Sequence, residues 1–153
     1  MGRLLMMTDG IEPTIVLMAQ AIGTLGMLGV IWIIQVAHYP LQRFVDREQF
    51  VAYQASHMRR ITFVVGPLML LEAAAAVWLL FLDLPAPGTQ LAWIGMGLVL
   101  LLWLSTLVLQ VPCHWVLERG WDDRAYRRLV ATNWLRTLAW SARAVVAIWM
   151  LML

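Results

Sequence analysis

Residues 91–119 read LAWIGMGLVLLLWLSTLVLQVPCHWVLER, and no Asp, Glu, Lys or Arg appears among them until Glu118. A helix over residues 91–112 rises 1.5 Å per residue and so reaches about 33 Å, close to the thickness of a bilayer's hydrocarbon core. Three other stretches have the same character: residues 13–38, 61–82 and 129–153. All four are too long and too uniformly apolar for the alternating strands of a membrane barrel. The expected fold is all-α, a single transmembrane domain over residues 1–153 built as an integral membrane four-helix bundle.

Composition agrees with that reading. Of 153 residues, 62% are hydrophobic and 13% charged, with a mean hydropathy of +0.77. A soluble domain needs more charge than this to cover its surface. The first apolar run is too long for a cleavable signal peptide and lacks a small-residue cleavage site. The start, MGRLLM, lacks the Ser or Thr expected for myristoylation. The single Cys113 forms no intrachain disulfide and no zinc motif. The net charge of +2 is too small to indicate a nucleic-acid partner. The expected partners are the lipid bilayer, a lipophilic small molecule and, given the outer surface left by four short helices, a second copy in a homodimer.

The basic residues set the orientation. Arg43, Arg47, Arg59 and Arg60 lie between the first two spans. Arg119, Arg124, Arg127, Arg128 and Arg136 lie between or just inside the last two. The short loop DLPAPGTQ (residues 83–90) has no basic residue, and Arg3 alone marks the far side. The positive-inside rule then puts both Arg-rich loops in the cytoplasm and both termini in the periplasm of a bacterial inner membrane.

Polar residues recur at a constant offset. Gln35 and Gln110 are 75 residues apart; His38 and His114, and Asp46 and Asp122, are each 76 apart. ASHMRR (residues 55–60) matches ATNWLR (residues 131–136), also at 76. This is the pattern of two tandem helical hairpins related by a pseudo-two-fold along the membrane normal; chance similarity between apolar segments is the alternative. Each Asp suits the N-cap of the following helix, and DREQFVAYQ (residues 46–54) reads as a capped extension of the second helix. Gly23, Gly26, Gly29 and the Ala73–Ala76 run suit close helix approach, and Pro67 suits a kink.

Helical phase turns the polar residues inward. Tyr53, His57, Arg60 and Glu72 share about a third of the second helix's circumference, and Asn133, Arg136, Trp140 and Arg143 share about 80° of the fourth. Thr106, Gln110 and His114 align at i, i+4 and i+8. In hydrocarbon such stripes face the bundle interior, which implies a polar pocket open toward the cytoplasm. Glu72 and Arg143 fall near mid-membrane and are expected to pair. That pair either fixes helix register or gives Glu72 a proton-accepting role at the cavity floor.

Three readings of the pocket stand side by side. His38, His57 and His114 could ligate a first-row metal, or supply axial ligands to haem. Arg60 and Arg136 could grip a carboxylate, phosphate or quinone-type oxygen. Against all three stands simple interfacial hydrogen bonding by the histidines.

Four segments carry a resemblance: QVAHYP (residues 35–40), HMRRITFVVGPLMLLEA (57–73), LQVPCH (109–114) and RRLVATNWLRTLAWSAR (127–143). They resemble a group of small bacterial four-helix membrane proteins. More distantly, His38 with Pro40 and Asn133 with Arg136 are similar to the anthrone-oxygenase-like membrane family, which is associated with oxidation of polyphenolic anthrones to quinones. The motif order of the haem-binding four-helix protoporphyrinogen oxidases is not found. The resemblance implies an oxidoreductase acting on a lipophilic aromatic or quinone-like molecule. His57 or His114 would take a phenolic proton and Arg60 with Arg136 would stabilise the oxyanion, with Gln35, Tyr53, Gln110, Asn133 and Arg143 around the ligand. A non-enzymatic transporter or accessory subunit, binding a lipid, haem or ion, is the alternative.

Overall fold

The computed structural model describes the backbone from Gly2 to the C-terminus and side chains from Pro13 onward. Four helical rods make up the described chain, and no strand occurs among the described residues. The first rod runs through α1 (Gly2–Ile33), a π-helical turn π1 (Ile34–His38) and α2 (Tyr39–Gln42). The second is α3 (Arg47–Leu79). The third runs through α4 (Gly88–Ser105), π2 (Thr106–Gln110) and α5 (Val111–Leu117), and the fourth is α6 (Asp123–Leu151). α1 packs most extensively on α3 and α6 and α4 packs on α6, whereas the remaining neighbours, α3 and α4, touch less.

Three of the rods are long and apolar enough to cross a membrane: Pro13–Gln42, Arg47–Leu79 and Gly88–Leu117. The expected fourth span, residues 129–153, is not among them. Arg136 and Arg143 lower its hydropathy, and both are buried against the other rods. Large apolar side chains dominate the outward faces, with Phe63 and Phe81 each 83% exposed among exposed Leu, Ile, Val and Trp.

Two prolines explain the π-turns. Proline lacks an N–H, and its ring clashes with the carbonyl four residues back in a regular α-helix. Ahead of Pro40 the Tyr39 N–H reaches back five residues to the Ile34 carbonyl, and ahead of Pro112 the Val111 N–H reaches the Thr106 carbonyl in the same way. The wider turn relieves the clash while keeping the rod continuous. α3, by contrast, runs as one helix through Pro67.

The π-turns of the first and third rods keep a register the residue pattern does not share. Pro40 and Pro112 are 72 residues apart, while the Asp caps are 76 apart. The difference is about one helical turn, absorbed by α5 (7 residues against 4 in α2) and by a longer turn before α6. His38 therefore precedes its proline and His114 follows its own. The caps differ too: Asp122 Oδ1 accepts from the Ala125 N–H at 2.7 Å, whereas Asp46 occupies the N-cap position without a side-chain bond.

The core forms three layers. Near the Arg-rich turns, Ile34, Tyr39, Phe50, Cys113, Leu117 and Leu129 pack together. Met27, Ile31, Met69, Leu102 and Trp140 fill the middle, and Leu79, Leu91, Ala92 and Met150 the far end. A Cβ on Gly23 would lie 3.0 Å from the Glu72 backbone nitrogen, and one on Gly26 would lie 3.0 Å from Leu68. These glycines set the α1–α3 approach. Gly29, expected to act likewise, faces open space.

Candidate functional site

Two buried polar layers cross the bundle. The deeper one centres on Glu72 and Arg143, which meet as their depth in the sequence requires: Arg143 Nε donates to Glu72 Oε1 at 2.6 Å. Thr24 Oγ1 donates to the same oxygen at 2.7 Å, and Trp140 Nε1 to Oε2 at 3.1 Å. Arg143 Nη1 donates to the Gly95 carbonyl at 2.7 Å and Nη2 to Gln20 Oε1 at 3.4 Å. All four rods contribute to this layer. Every guanidinium nitrogen and both carboxylate oxygens have partners, which offsets the desolvation of two ions in the core. A Cβ on Gly95 would sit 2.8 Å from Arg143 Nη1, so only glycine leaves room for the guanidinium.

The second layer lies toward the Arg-rich turns and holds the three histidines. The His38 and His57 rings stack with centroids 4.1 Å apart, and the His57 and His114 centroids are 6.4 Å apart. Gln54 Nε2 donates to His114 Nδ1 at 3.0 Å. The proton of a neutral His114 therefore sits on Nε2, which faces Tyr39 Oη at 3.4 Å. Gln42 Nε2 and Tyr53 Oη each lie 3.3 Å from His38 Nε2. Only His57 makes no side-chain hydrogen bond among the described residues, so both its ring nitrogens are free for a ligand.

Beside the histidines, Asn133 Nδ2 donates to Gln35 Oε1 at 2.8 Å and Gln35 Nε2 to the Val130 carbonyl at 3.4 Å. Arg136 Nη1 donates to Asn133 Oδ1 at 3.2 Å, and Gln110 Nε2 to Thr132 Oγ1 at 2.9 Å. Unlike the deeper layer, this one is incompletely paired. Gln42 Oε1, Gln54 Oε1, Gln110 Oε1 and Arg136 Nε are buried without partners. Buried polar atoms left single cost free energy unless a water or ligand completes them.

A cavity of about 420 Å³ opens beside this layer, lined by His38, Tyr53, Ser56, His57, Arg60, Ile61 and Val64. A neighbouring cavity of about 300 Å³ shares Ser56 and Arg60 and adds Arg59 and Phe63. Arg60 Nε donates to Ser56 Oγ at 3.3 Å, which holds the guanidinium at the boundary between the two cavities. A larger cavity of about 860 Å³ lies near the far end of α3, but Leu70, Ala73, Ala74, Val77, Trp78, Phe81 and Leu82 give it no polar group except an indole N–H.

The expected site residues thus divide into three groups. His38, Tyr53, His57 and Arg60 line one cavity. Gln35, Gln110, His114, Asn133 and Arg136 form the buried layer behind it. Glu72 and Arg143 belong to the other, closed layer. The expected symmetry of Arg60 and Arg136 does not appear, because Arg60 is exposed and Arg136 is buried. The metal set expected on His38, His57 and His114 has no ready counterpart. Their rings approach by stacking, and no group of three His, Cys, Asp or Glu among the described residues is arranged to hold a metal ion.

Five partners escaped the sequence reading: Gln20, Thr24, Tyr39, Gln42 and Gln54. The available signal was polar spacing inside an apolar run, since Gln20 and Thr24 are an i, i+4 pair and Gln54 lies one turn before His57. No family model, curated protein or solved structure matches the chain.

Proposed function

We propose that the chain is an integral protein of a bacterial inner membrane, formed by two tandem hairpins, whose lateral cavity receives the ring of a lipophilic phenol or quinone. The apolar outer faces support insertion, and the basic turns support a cytoplasmic position for the cavity end. Ile61 and Val64 lie one turn beyond His57 and Arg60 on the same face of α3 and line the same cavity. A ligand with a polar ring and an apolar tail would meet both, entering sideways from the lipid.

The observation that carries this reading is the free His57 imidazole. It faces the cavity, stacks on His38, and has no competing hydrogen-bond partner. A neutral imidazole accepts a phenolic proton at physiological pH. The Arg60 guanidinium in the same cavity stabilises the phenolate formed. His114 is less suited to that role, since Gln54 and Tyr39 occupy its two nitrogens. These groups account for binding the ring and for transfer of its phenolic proton to His57. The resemblance to anthrone-oxygenase-like proteins points to the same substrate class.

Binding of a short-tailed alkyl benzoquinol to the full chain in detergent tests the reading. Saturable binding lost in His57→Ala and weakened in Arg60→Gln supports it; binding unchanged in both variants refutes it. Orientation is tested by cysteine labelling in intact cells, on a chain in which Cys113 is replaced by Ala. A label at Gly88 should react from the periplasm and one at Arg119 only after the membrane is opened. The reverse pattern would move the cavity to the other side.

A further inference from the structure

We propose that the Nε–Nη2 edge of Arg136 is a buried binding site for a small carboxylate, distinct from the cavity at His57. Arg136 is 6% exposed, and its Nε is fully sealed with no partner. Its one hydrogen bond runs from Nη1 to Asn133 Oδ1. Among the described residues no acid forms an ion pair with it; the salt bridge found there joins Glu72 and Arg143. The Trp140 ring lies 5.1 Å from the guanidinium carbon and accounts for one face of the group. Tyr39 and His114 lie within electrostatic range and bring no negative charge while neutral.

The geometry of the free edge selects the ligand. Nε and Nη2 present two parallel N–H groups, the side-on fork that matches the two oxygens of a carboxylate. A buried cation without a counter-charge is costly in an apolar bundle, and a bound anion removes that cost. Arg143, two turns along the same helix, shows what completion looks like: its Nε and both terminal nitrogens are all engaged.

The experiment uses the full chain in detergent and acetate labelled with ¹³C at the carboxyl carbon. Binding is read as saturable broadening of the carboxyl resonance at fixed ionic strength. The expected result is broadening that excess unlabelled acetate displaces and chloride does not. Arg136→Gln should weaken it at least tenfold. Arg136→Lys, which keeps the charge and loses the fork, should also weaken it at least tenfold and decides the matter if the Gln variant does not fold. His57→Ala should leave acetate affinity within twofold, which separates this site from the quinol cavity. Absence of saturable broadening overturns the proposal, as does unchanged affinity in Arg136→Lys or displacement by chloride as effective as by acetate. Loss of acetate binding in a folded His57→Ala variant would merge the two sites and overturn their separation.

Discussion

Arg136 and Arg143 lie seven residues apart on α6, both are buried, and both belong to layers fed by all four rods. Arg143 meets a carboxylate, a backbone carbonyl and an amide oxygen; Arg136 meets one amide oxygen and the face of an indole. The difference separates a group that holds helices together from a group that waits for a partner. A closed network has spent its hydrogen-bonding capacity inside the protein, and any ligand would have to break it. The histidine layer retains single donors and acceptors and adjoins a cavity. The assignment of function to that layer follows from the unpaired atoms and not from the mere presence of charge.

Removing one half of the closed pair should produce the largest effect. Glu72→Ala strands Arg143 in the core and should lower stability by about 3–5 kcal/mol, measured by denaturant titration of the detergent-solubilised protein. A loss below about 1 kcal/mol would mean that the deeper layer does not hold the rods together. Next comes Gly95→Ala, where the added Cβ displaces the guanidinium. Overpacking of this kind costs about 1–3 kcal/mol, and quinol binding at the distant cavity should be retained.

The histidine layer should answer in the opposite way. His57→Ala should reduce quinol affinity more than tenfold, about 1.4 kcal/mol, while thermal stability stays close to that of the parent. If stability falls and binding does not, the contrast between the layers is reversed. The smallest effect belongs to Tyr39→Phe, which removes the oxygen facing His114 Nε2. A loss of about 1 kcal/mol is expected in the unfolding free energy, with quinol binding changed less than in His57→Ala.

Much of the fold was legible along the chain. Four runs near bilayer length, three of them apolar enough to cross a membrane, broken by Arg-rich or proline-rich turns, dictate four helical rods. The 100° phase also brought Asn133, Arg136, Trp140 and Arg143 to one buried face. The same phase argument failed for the second helix, grouping Arg60 with Glu72. α3 is flanked by α1 and only weakly by α4, so much of its circumference is open and a polar stripe there can end in a cavity at the surface. The repeat pattern aligned His38 with His114 at the spacing of the Asp caps and passed over the shorter spacing of Pro40 and Pro112, which marks the added length of α5.

The sequence by itself determined the rods, their order, the clustering of arginines at one end and the depth of Glu72 and Arg143, since each follows from apolar length, proline chemistry or the rise of a helix. Which polar atoms are completed was decided only by the tertiary structure. Thr24, Gln20 and the Gly95 carbonyl come from two other rods to close the shell of Glu72 and Arg143, whereas among the described residues no carboxylate pairs with Arg136. Hydrogen bonds extend only about 3 Å, so the packing of one helix against another, and not the spacing of letters within either, selects between a sealed ion pair and an open site.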